Sequence, residues 1–191
     1  MRSLIGALLL GLAACDGAAP ADTQKPVTPQ PAAPQPAAPP AAAAKPAAAK
    51  IDRSQAGQPF PAAAFVDRAD KPTTLAAFKG TPVLVNLWAT WCAPCLAEMP
   101  ALDRLAAREK GKLVVLPLSQ DMEGWRAVDK FFAPGKFPAL TPYLDQPTEW
   151  ALAVEAKGLP VSILYDAQGK EVWRVNGPLE WDQPEVAALL E

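Results

Sequence analysis

Residues 83–100 read VLVNLWATWCAPCLAEMP, in which a near-continuous apolar run leads into two cysteines separated by two residues. The run from Val83 to Trp88 lacks the alternation of polar and apolar residues, which is typical of a strand buried on both faces. From Cys92 to about Lys110 the apolar residues recur every three or four positions, and Gly111 follows as a stop signal. This spacing predicts a helix whose apolar face comprises Leu96, Met99, Leu102, Leu105 and Ala106. We therefore expect the cysteine pair where a buried strand gives way to a long helix.

The segments around this unit extend it to an α/β domain with a mixed central sheet. Leu113–Leu118 is a second apolar run, and two buried strands that flank one long helix predict a parallel crossover. Val161–Tyr165 and Glu171–Val175 predict an antiparallel hairpin. The remaining predicted elements are an edge strand at Ala62–Val66, a turn at Asp67–Lys71, a helical turn capped by Thr74 and ending at Phe78, and helices at Glu123–Phe132, Thr148–Ala156 and Pro184–Leu190.

A C-x-x-C pair can form half of a zinc site, attach a haem or act as a redox couple. Zinc needs two further ligands, but the 191-residue chain contains no histidine, and its third cysteine is Cys15, far away near the N-terminus. A c-type haem needs a histidine directly after the second cysteine, where Leu96 stands. The redox couple is the reading that remains, and it requires neither a metal nor an organic cofactor. A structural disulfide is the alternative, although so short a loop stabilises little through chain entropy.

The two cysteines are expected to have different roles. Cys92 would lie at the first turn of the helix, where unpaired backbone N–H groups and the helix dipole favour a thiolate, the form that attacks disulfides. Pro94 would lie inside the same turn, where a missing N–H costs nothing. Cys95 would be shielded one turn further along the helix and would resolve a mixed disulfide.

Composition excludes several other classes of protein. Without histidine there can be no Ser-His-Asp triad and no Cys-His protease pair. The 18 basic and 20 acidic residues give a net charge of −2, without the excess of basic residues typical of nucleic-acid binding. We expect no nucleic-acid partner.

The first 50 residues differ in composition from the rest of the chain. Residues 1–14 have one Arg ahead of a short apolar run, the layout of a signal peptide, and Leu12-Ala-Ala-Cys15 resembles the bacterial lipobox. An ordinary signal peptide with an incidental Cys15 is the alternative. The nine Pro and 14 Ala of residues 16–50 predict a disordered tether. We therefore expect a signal peptide at 1–14, a lipidated Cys15 with its tether at 15–50, and a folded domain at 51–191. Asp16 resembles an inner-membrane retention signal, so the expected location is the periplasm, with a lipid anchor in the inner membrane.

The stretch from Val85 to Pro100 resembles the thioredoxin superfamily and, within it, the membrane-anchored periplasmic branch typified by TlpA, ResA and CcmG. The resemblance covers nearly all of residues 57–191. It implies a thioredoxin fold with an N-terminal strand extension, and the activity of a thiol-disulfide oxidoreductase.

The same resemblance implies roles for residues on the central strand and the long helix. Asn86 occupies the buried position where cytoplasmic thioredoxins carry Asp. Glu98 lies three residues after Cys95, on the same helix face, where ResA-like proteins use a Glu to assist proton transfer. An ordinary surface Glu is the alternative, and we expect Glu98→Gln to change stability by no more than about 0.5 kcal/mol, as for a surface position. Pro100 matches the proline that kinks thioredoxin helices.

Further residues are implied in substrate binding. Pro160 matches the family's cis-proline, and a cis bond there would leave the backbone of Leu159 free to pair with an incoming peptide. A trans proline at a strand start is the alternative. Trp91 is expected to shield the cysteines, and Pro94 lies between them.

The expected direction of electron flow is from this protein to its substrate. The dipeptide between the cysteines is Ala-Pro, close to the Gly-Pro of reducing thioredoxins, whereas strong oxidants of the DsbA type place a His there. The resemblance implies exported protein disulfides as substrates, such as those of apocytochrome c or copper-site assembly proteins, and a membrane thiol relay as electron donor.

Three alternatives to a reductase remain. A peroxiredoxin-like thiol peroxidase would carry P-x-x-x-T-x-x-C, whereas Thr90 stands two residues before Cys92 and Pro82 is not four before Thr90. A copper carrier of the Sco type would need a longer cysteine spacing and a distant His. The third alternative is a non-catalytic binding or assembly module with an incidental disulfide.

Overall fold

Within residues 51–190, which the computed structural model describes, seven strands form one mixed sheet. The strands are β1 (Phe65–Val66), β2 (Pro72–Thr73), β3 (Val83–Trp88), β4 (Val114–Ser119), β5 (Tyr143–Leu144), β6 (Val161–Tyr165) and β7 (Glu171–Asn176). Their order across the sheet is β2-β1-β5-β4-β3-β6-β7. The predicted signal peptide at 1–14 and the predicted lipidated Cys15 with its tether at 15–50 lie outside the described residues.

Strand β3 is the centre of the sheet and is buried along its whole length, as its apolar run predicts. It pairs in parallel with β4, where Val83 lies opposite Val114, and antiparallel with β6, where Leu87 lies opposite Val161. The predicted parallel crossover and the predicted β6–β7 hairpin are therefore both confirmed.

The helices are α1 (Ala93–Arg108), α2 (Trp125–Phe131), α3 (Glu149–Ala153) and α4 (Pro184–Ala187), with a single 3-10 turn at Leu75–Phe78. α1 agrees with its prediction to within two residues at either end. α3 is shorter than predicted because Thr148 before it and Glu155 after it have left-handed backbone angles (φ of 68° and 55°), which do not continue a helix. No helix among residues 51–190 has the length and apolar character needed to cross a bilayer.

Two apolar clusters complete the core. One contains the buried face of α1 together with Trp88, Trp173 and Trp181, and the other contains Phe65, Trp150 and Tyr165. Strands β2 and β5 were not predicted, because two residues are too short for any periodicity. The edge strand predicted at Ala62–Val66 is shorter in the structure and comprises only Phe65–Val66. Both residues pair with β2, and Val66 also pairs with β5.

Candidate active site

The cysteine pair lies at the junction of β3 and α1, where the sequence predicts it. Cys92 is the N-cap residue of α1 and forms a disulfide with Cys95, with their Cα atoms 5.3 Å apart. The N–H of Cys95 donates a hydrogen bond to the Cys92 sulfur at 3.3 Å. Cys92 retains 6% of its surface exposed, whereas Cys95 is fully buried. The geometry thus gives Cys92 both the more accessible sulfur and a backbone donor that would stabilise its thiolate.

The two prolines of α1 occupy positions that the helix tolerates. Pro94 lies in the first turn, where no N–H is needed, and its side chain is exposed. Pro100 lies inside the helix, also on the solvent side, and α1 continues past it to Arg108.

Glu98 is not an ordinary surface residue of the helix. Its side chain is only 6% exposed and accepts three hydrogen bonds. Asn86 Nδ2 donates to Oε1 at 2.7 Å, and the Leu179 N–H and Trp181 Nε1 donate to Oε2 at 3.2 and 3.3 Å. The sequence-based expectation that Glu98→Gln acts like a surface change is therefore wrong, because α1 turns this face towards β3 and the C-terminal segment.

Burial changes the acidity of this carboxyl group. It raises the pKa of Glu98 from 4.5 to about 7, although the hydrogen bonds from Asn86, Leu179 and Trp181 partly oppose the shift, and the nearby Glu180 adds to it. Since both protonation states are populated at neutral pH, the group is suited to accept and return a proton.

Two polar side chains on the neighbouring strands β3 and β6 connect this carboxylate to the central sheet. Asn86 on β3 lies opposite Ser162 on β6, and Asn86 Nδ2 donates to the Ser162 hydroxyl at 3.0 Å as well as to Glu98. Asn86 Oδ1 is buried and has no hydrogen-bond partner among the described residues. Sequence reasoning missed Ser162, although a small polar residue in the otherwise largely apolar strand VSILY was the available signal.

The Leu159–Pro160 peptide bond is cis, as the resemblance implies. The pairing of Leu87 with Val161 places Pro160 at the end of β6 that meets the carboxyl end of β3, from which the chain enters the Cys92 turn. Within residues 51–190 the backbone N–H and C=O of Leu159 have no hydrogen-bond partner, and the residue borders a groove with Gly158, Pro160, Asn176 and Gly177. This backbone is therefore open to an added strand.

Trp91 does not shield the cysteines in the way that the sequence suggests, because 69% of its surface is exposed. Together with Met122, Lys130 and Phe131 it lines a groove on the α2 side of Cys92. The burial of Cys95 comes from its position within α1 and the apolar core instead.

Comparisons with known proteins agree on one family. A sequence profile of the Redoxin family matches residues 55–190. The chain is 32% identical over 139 residues to the thiol-disulfide oxidoreductase ResA of Bacillus thuringiensis subsp. konkukian (strain 97-27), a match that covers 71% of this chain and 78% of that protein. It is 35% identical over 114 residues to the thiol:disulfide interchange protein DsbE of Pseudomonas fluorescens biotype C, covering 59% and 62% of the two chains.

Solved structures confirm the predicted fold class. A protein from Chlorobium tepidum described as a thiol:disulfide interchange protein DsbE superposes with a TM-score of 0.61 and 26% identity over 71% of this chain and 98% of its own. The thioredoxin domain of a thiol-disulfide oxidoreductase from Bacteroides vulgatus has the same fold, with a TM-score of 0.57 and 23% identity over 71% and 98% of the two chains.

Proposed function

Because this chain belongs to the Redoxin family and is a thiol-disulfide oxidoreductase of the ResA and DsbE type, we propose that it reduces disulfides of exported proteins. The electrons come from the Cys92–Cys95 dithiol. The observation that carries the proposal is the position of the Cys92 sulfur at the N-terminus of α1, where it accepts the Cys95 N–H.

The reaction is two successive thiol-disulfide exchanges. In the reduced protein, the Cys92 thiolate attacks one sulfur of the substrate disulfide, forming a mixed disulfide and releasing the other substrate sulfur as a thiolate. Cys95 then loses its proton and attacks the Cys92 sulfur, which forms the protein disulfide and releases the second substrate thiolate. Two electrons pass from the dithiol to the substrate, so the substrate is reduced and this protein is oxidised.

Glu98 is the proposed proton carrier of the second exchange. Its carboxylate lies on the face of α1 that also carries the buried Cys95, one turn away. As a carboxylate it accepts the Cys95 proton, and as a carboxylic acid it returns the proton to a leaving thiolate. The pKa of about 7 makes both directions accessible near neutral pH.

The substrate is proposed to bind as an extended peptide across the cysteine pair. The unpaired backbone of Leu159, next to the cis Pro160, supplies strand-like hydrogen bonds on one side. The exposed Trp91 and Pro94 supply apolar contacts on the other side. Such backbone recognition suits a reductase of several exported proteins, among them apocytochrome c and copper-site assembly proteins.

The direction of the reaction predicts a low reduction potential. With Ala93-Pro94 between the cysteines and no histidine in the chain, no positive side chain of the DsbA kind stabilises the Cys92 thiolate. We expect a potential nearer to that of thioredoxin, about −270 mV, than to that of DsbA, about −120 mV. Equilibration of the purified protein with glutathione buffers, read out by thiol alkylation, measures this value.

A measured reduction potential above about −180 mV, where isomerases lie, would refute the reductase proposal and would indicate an oxidase or isomerase instead. A donor with the expected low potential must be re-reduced after each cycle. We propose the dithiol of a membrane-embedded thiol relay as its electron source.

We further propose that Cys15 carries a lipid and holds the domain on the periplasmic side of the inner membrane. The support is the lipobox-like Leu12–Cys15 at the end of an apolar run and the Asp16 that follows it. Residues 16–50 would then act as a tether whose extended reach is on the order of 100 Å, at about 3.1 Å per residue. The folded domain would begin at residue 51.

The lipid proposal has a direct test. Cys15→Ser should abolish the incorporation of radiolabelled palmitate, because the acylated sulfur is gone, and should leave uncleaved precursor or soluble protein. The matched control is Cys92→Ser, which should incorporate as much label as the wild type. Equal labelling of Cys15→Ser and wild type would refute the anchor.

A further inference from the structure

A buried carboxylate that the sequence does not single out lies beside the turn that leads into Cys92. Asp121 follows β4 by two residues and is 2% exposed. Its two oxygens accept the Thr90 N–H at 3.1 and 3.0 Å, and the Thr90 hydroxyl donates to Oδ1 at 2.6 Å. The Ser119 hydroxyl donates to Oδ2 at 2.8 Å. Both carboxylate oxygens therefore accept hydrogen bonds, and most of these bonds come from Thr90.

These bonds fix the backbone from which the attacking cysteine projects. Thr90 is two residues before Cys92, and the Cys92 N–H closes the turn by donating to the carbonyl of Ala89 at 3.1 Å. Asp121 is itself held, because Gln146 Nε2 donates to its carbonyl at 3.0 Å. Asp121 is therefore a side-chain link between the Cys92 turn and the segment after β4, next to the backbone bond from Gln120 N–H to the Trp88 carbonyl.

The charge of Asp121 is not neutralised by an ion pair. Within residues 51–190, no lysine or arginine nitrogen lies within 4 Å of its carboxylate. Two charged side chains, Glu123 and Lys130, line the same groove. Glu123 is paired with Arg126 at 2.8 Å, which leaves Lys130 as the groove's cation.

From this geometry we infer that Asp121 is a positioning residue with an electrostatic effect: it fixes the Cys92 turn and disfavours the Cys92 thiolate relative to the disulfide. The inference rests on the proposed attack by Cys92. Reduction of the disulfide takes up two electrons, and at neutral pH it leaves a partly ionised Cys92 with the proton on Cys95. The negative charge of a carboxylate bound to the Thr90 N–H, two residues before Cys92, makes this state less stable, whereas the neutral disulfide is unaffected. Asp121 thereby makes the dithiol a stronger electron donor.

The test compares Asp121→Asn with Thr90→Val in the reduced full-length protein. Asparagine keeps an acceptor for the Thr90 N–H but has no charge, whereas valine removes one hydrogen bond and leaves the charge in place. The pH dependence of Cys92 alkylation, located by peptide fragmentation in the mass spectrometer, should move down by about one pH unit in Asp121→Asn. Its equilibrium constant for reduction by glutathione should rise up to about tenfold. Thr90→Val should keep the wild-type midpoint.

A wild-type alkylation midpoint and glutathione equilibrium in folded Asp121→Asn would overturn the inference and leave Asp121 a purely structural residue. If that variant does not fold, Met122→Lys decides. Met122 is 78% exposed, so a lysine there is tolerated. It lines the same groove as Asp121, so the added positive charge should oppose that of the carboxylate and shift the midpoint in the same direction. An unshifted midpoint in Met122→Lys then refutes the inference. Both readouts work without a protein substrate, so failure of the proposed reductase function would be recognised separately, as an inability of the wild type to reduce exported proteins.

Discussion

Replacing Cys92 by alanine should abolish disulfide reduction, because Cys92 is the one cysteine within residues 51–190 that has both solvent access and a backbone donor to its sulfur. In the reduced protein, iodoacetamide should label Cys92 quickly and the fully buried Cys95 slowly. Cys92→Ala should therefore lose the fast-reacting thiol of the pair, and Cys95→Ala should keep it. The label has to be assigned by peptide mass spectrometry, since Cys15 is a third thiol.

The matched variant Cys95→Ser should stop the reaction after the first exchange. With no second sulfur to attack Cys92, the mixed disulfide with the substrate should accumulate, and it can be isolated from cells that express the variant. The captured proteins should be exported proteins whose cysteines match those of apocytochrome c or copper-site assembly proteins. A fast thiol that disappears in Cys95→Ala instead would show that the two roles are inverted.

Glu98→Gln should remove the pH dependence of the second exchange near pH 7 and slow it by about a hundredfold, a usual loss when a general acid or base is removed. The first exchange should be less affected, because the Cys92 thiolate does not need this proton acceptor. Stopped-flow measurement of mixed-disulfide formation and decay between pH 5.5 and 8.5 separates the two steps. An unchanged pH profile for the decay would remove Glu98 from the proton pathway.

The same variant should change the pH dependence of stability, with a sign that follows from the pKa. The folded protein holds the Glu98 carboxyl at a pKa of about 7, above the 4.5 of the unfolded chain, so between these values the folded state binds more protons. The contribution of Glu98 to the free energy of unfolding should therefore fall by up to about 3 kcal/mol as the pH rises from 4.5 to above 7. Glu98→Gln has no carboxyl group to titrate and so lacks this loss. Denaturant titrations should show that the variant is more stable relative to the wild type at pH 8 than at pH 4.5.

Glu98→Leu is the control that separates charge from hydrogen bonding. Leucine removes one acceptor from Asn86, which keeps its bond to Ser162, and removes the acceptor of the Leu179 N–H and of Trp181 Nε1, at about 1–3 kcal/mol for each buried donor left unpaired. It should be less stable than the wild type at every pH. In Glu98→Gln, by contrast, rotation of the Asn86 amide can present its unpartnered Oδ1 to the new NH₂ group. Equal stability of the two variants would contradict this account.

Much of the fold follows from local sequence patterns. The near-continuous apolar run of Val83–Trp88 favours burial on both faces, and the spacing in α1 leaves one face for the core, so the central unit was predictable. The two-residue strands β2 and β5 were not, because their pairing depends on partners far along the chain.

The same division holds for the site. The cysteines and Pro160 were predictable because C-x-x-C and the family pattern are local. The burial of Glu98 was not, since its α1 position is covered by Leu179 and Trp181 from the C-terminal segment. Asp121 and Ser162 were missed for the same reason. Asp121 becomes relevant only when the segment after β4 lies beside Thr90, and Ser162 only when β6 lies beside Asn86.

The donors that Glu98 receives from Leu179 and Trp181 come from residues 81 and 83 positions further along the chain. During synthesis, the segment with both cysteines emerges long before these donors do. A nascent domain that closed around α1 early would have to enclose the carboxyl group without two of its three partners, a cost that favours the protonated form or delayed closure. The surroundings of Glu98 are therefore completed only after residue 181 has been synthesised. A fragment that ends before residue 179 would contain both cysteines but would lack two of the three hydrogen bonds to Glu98.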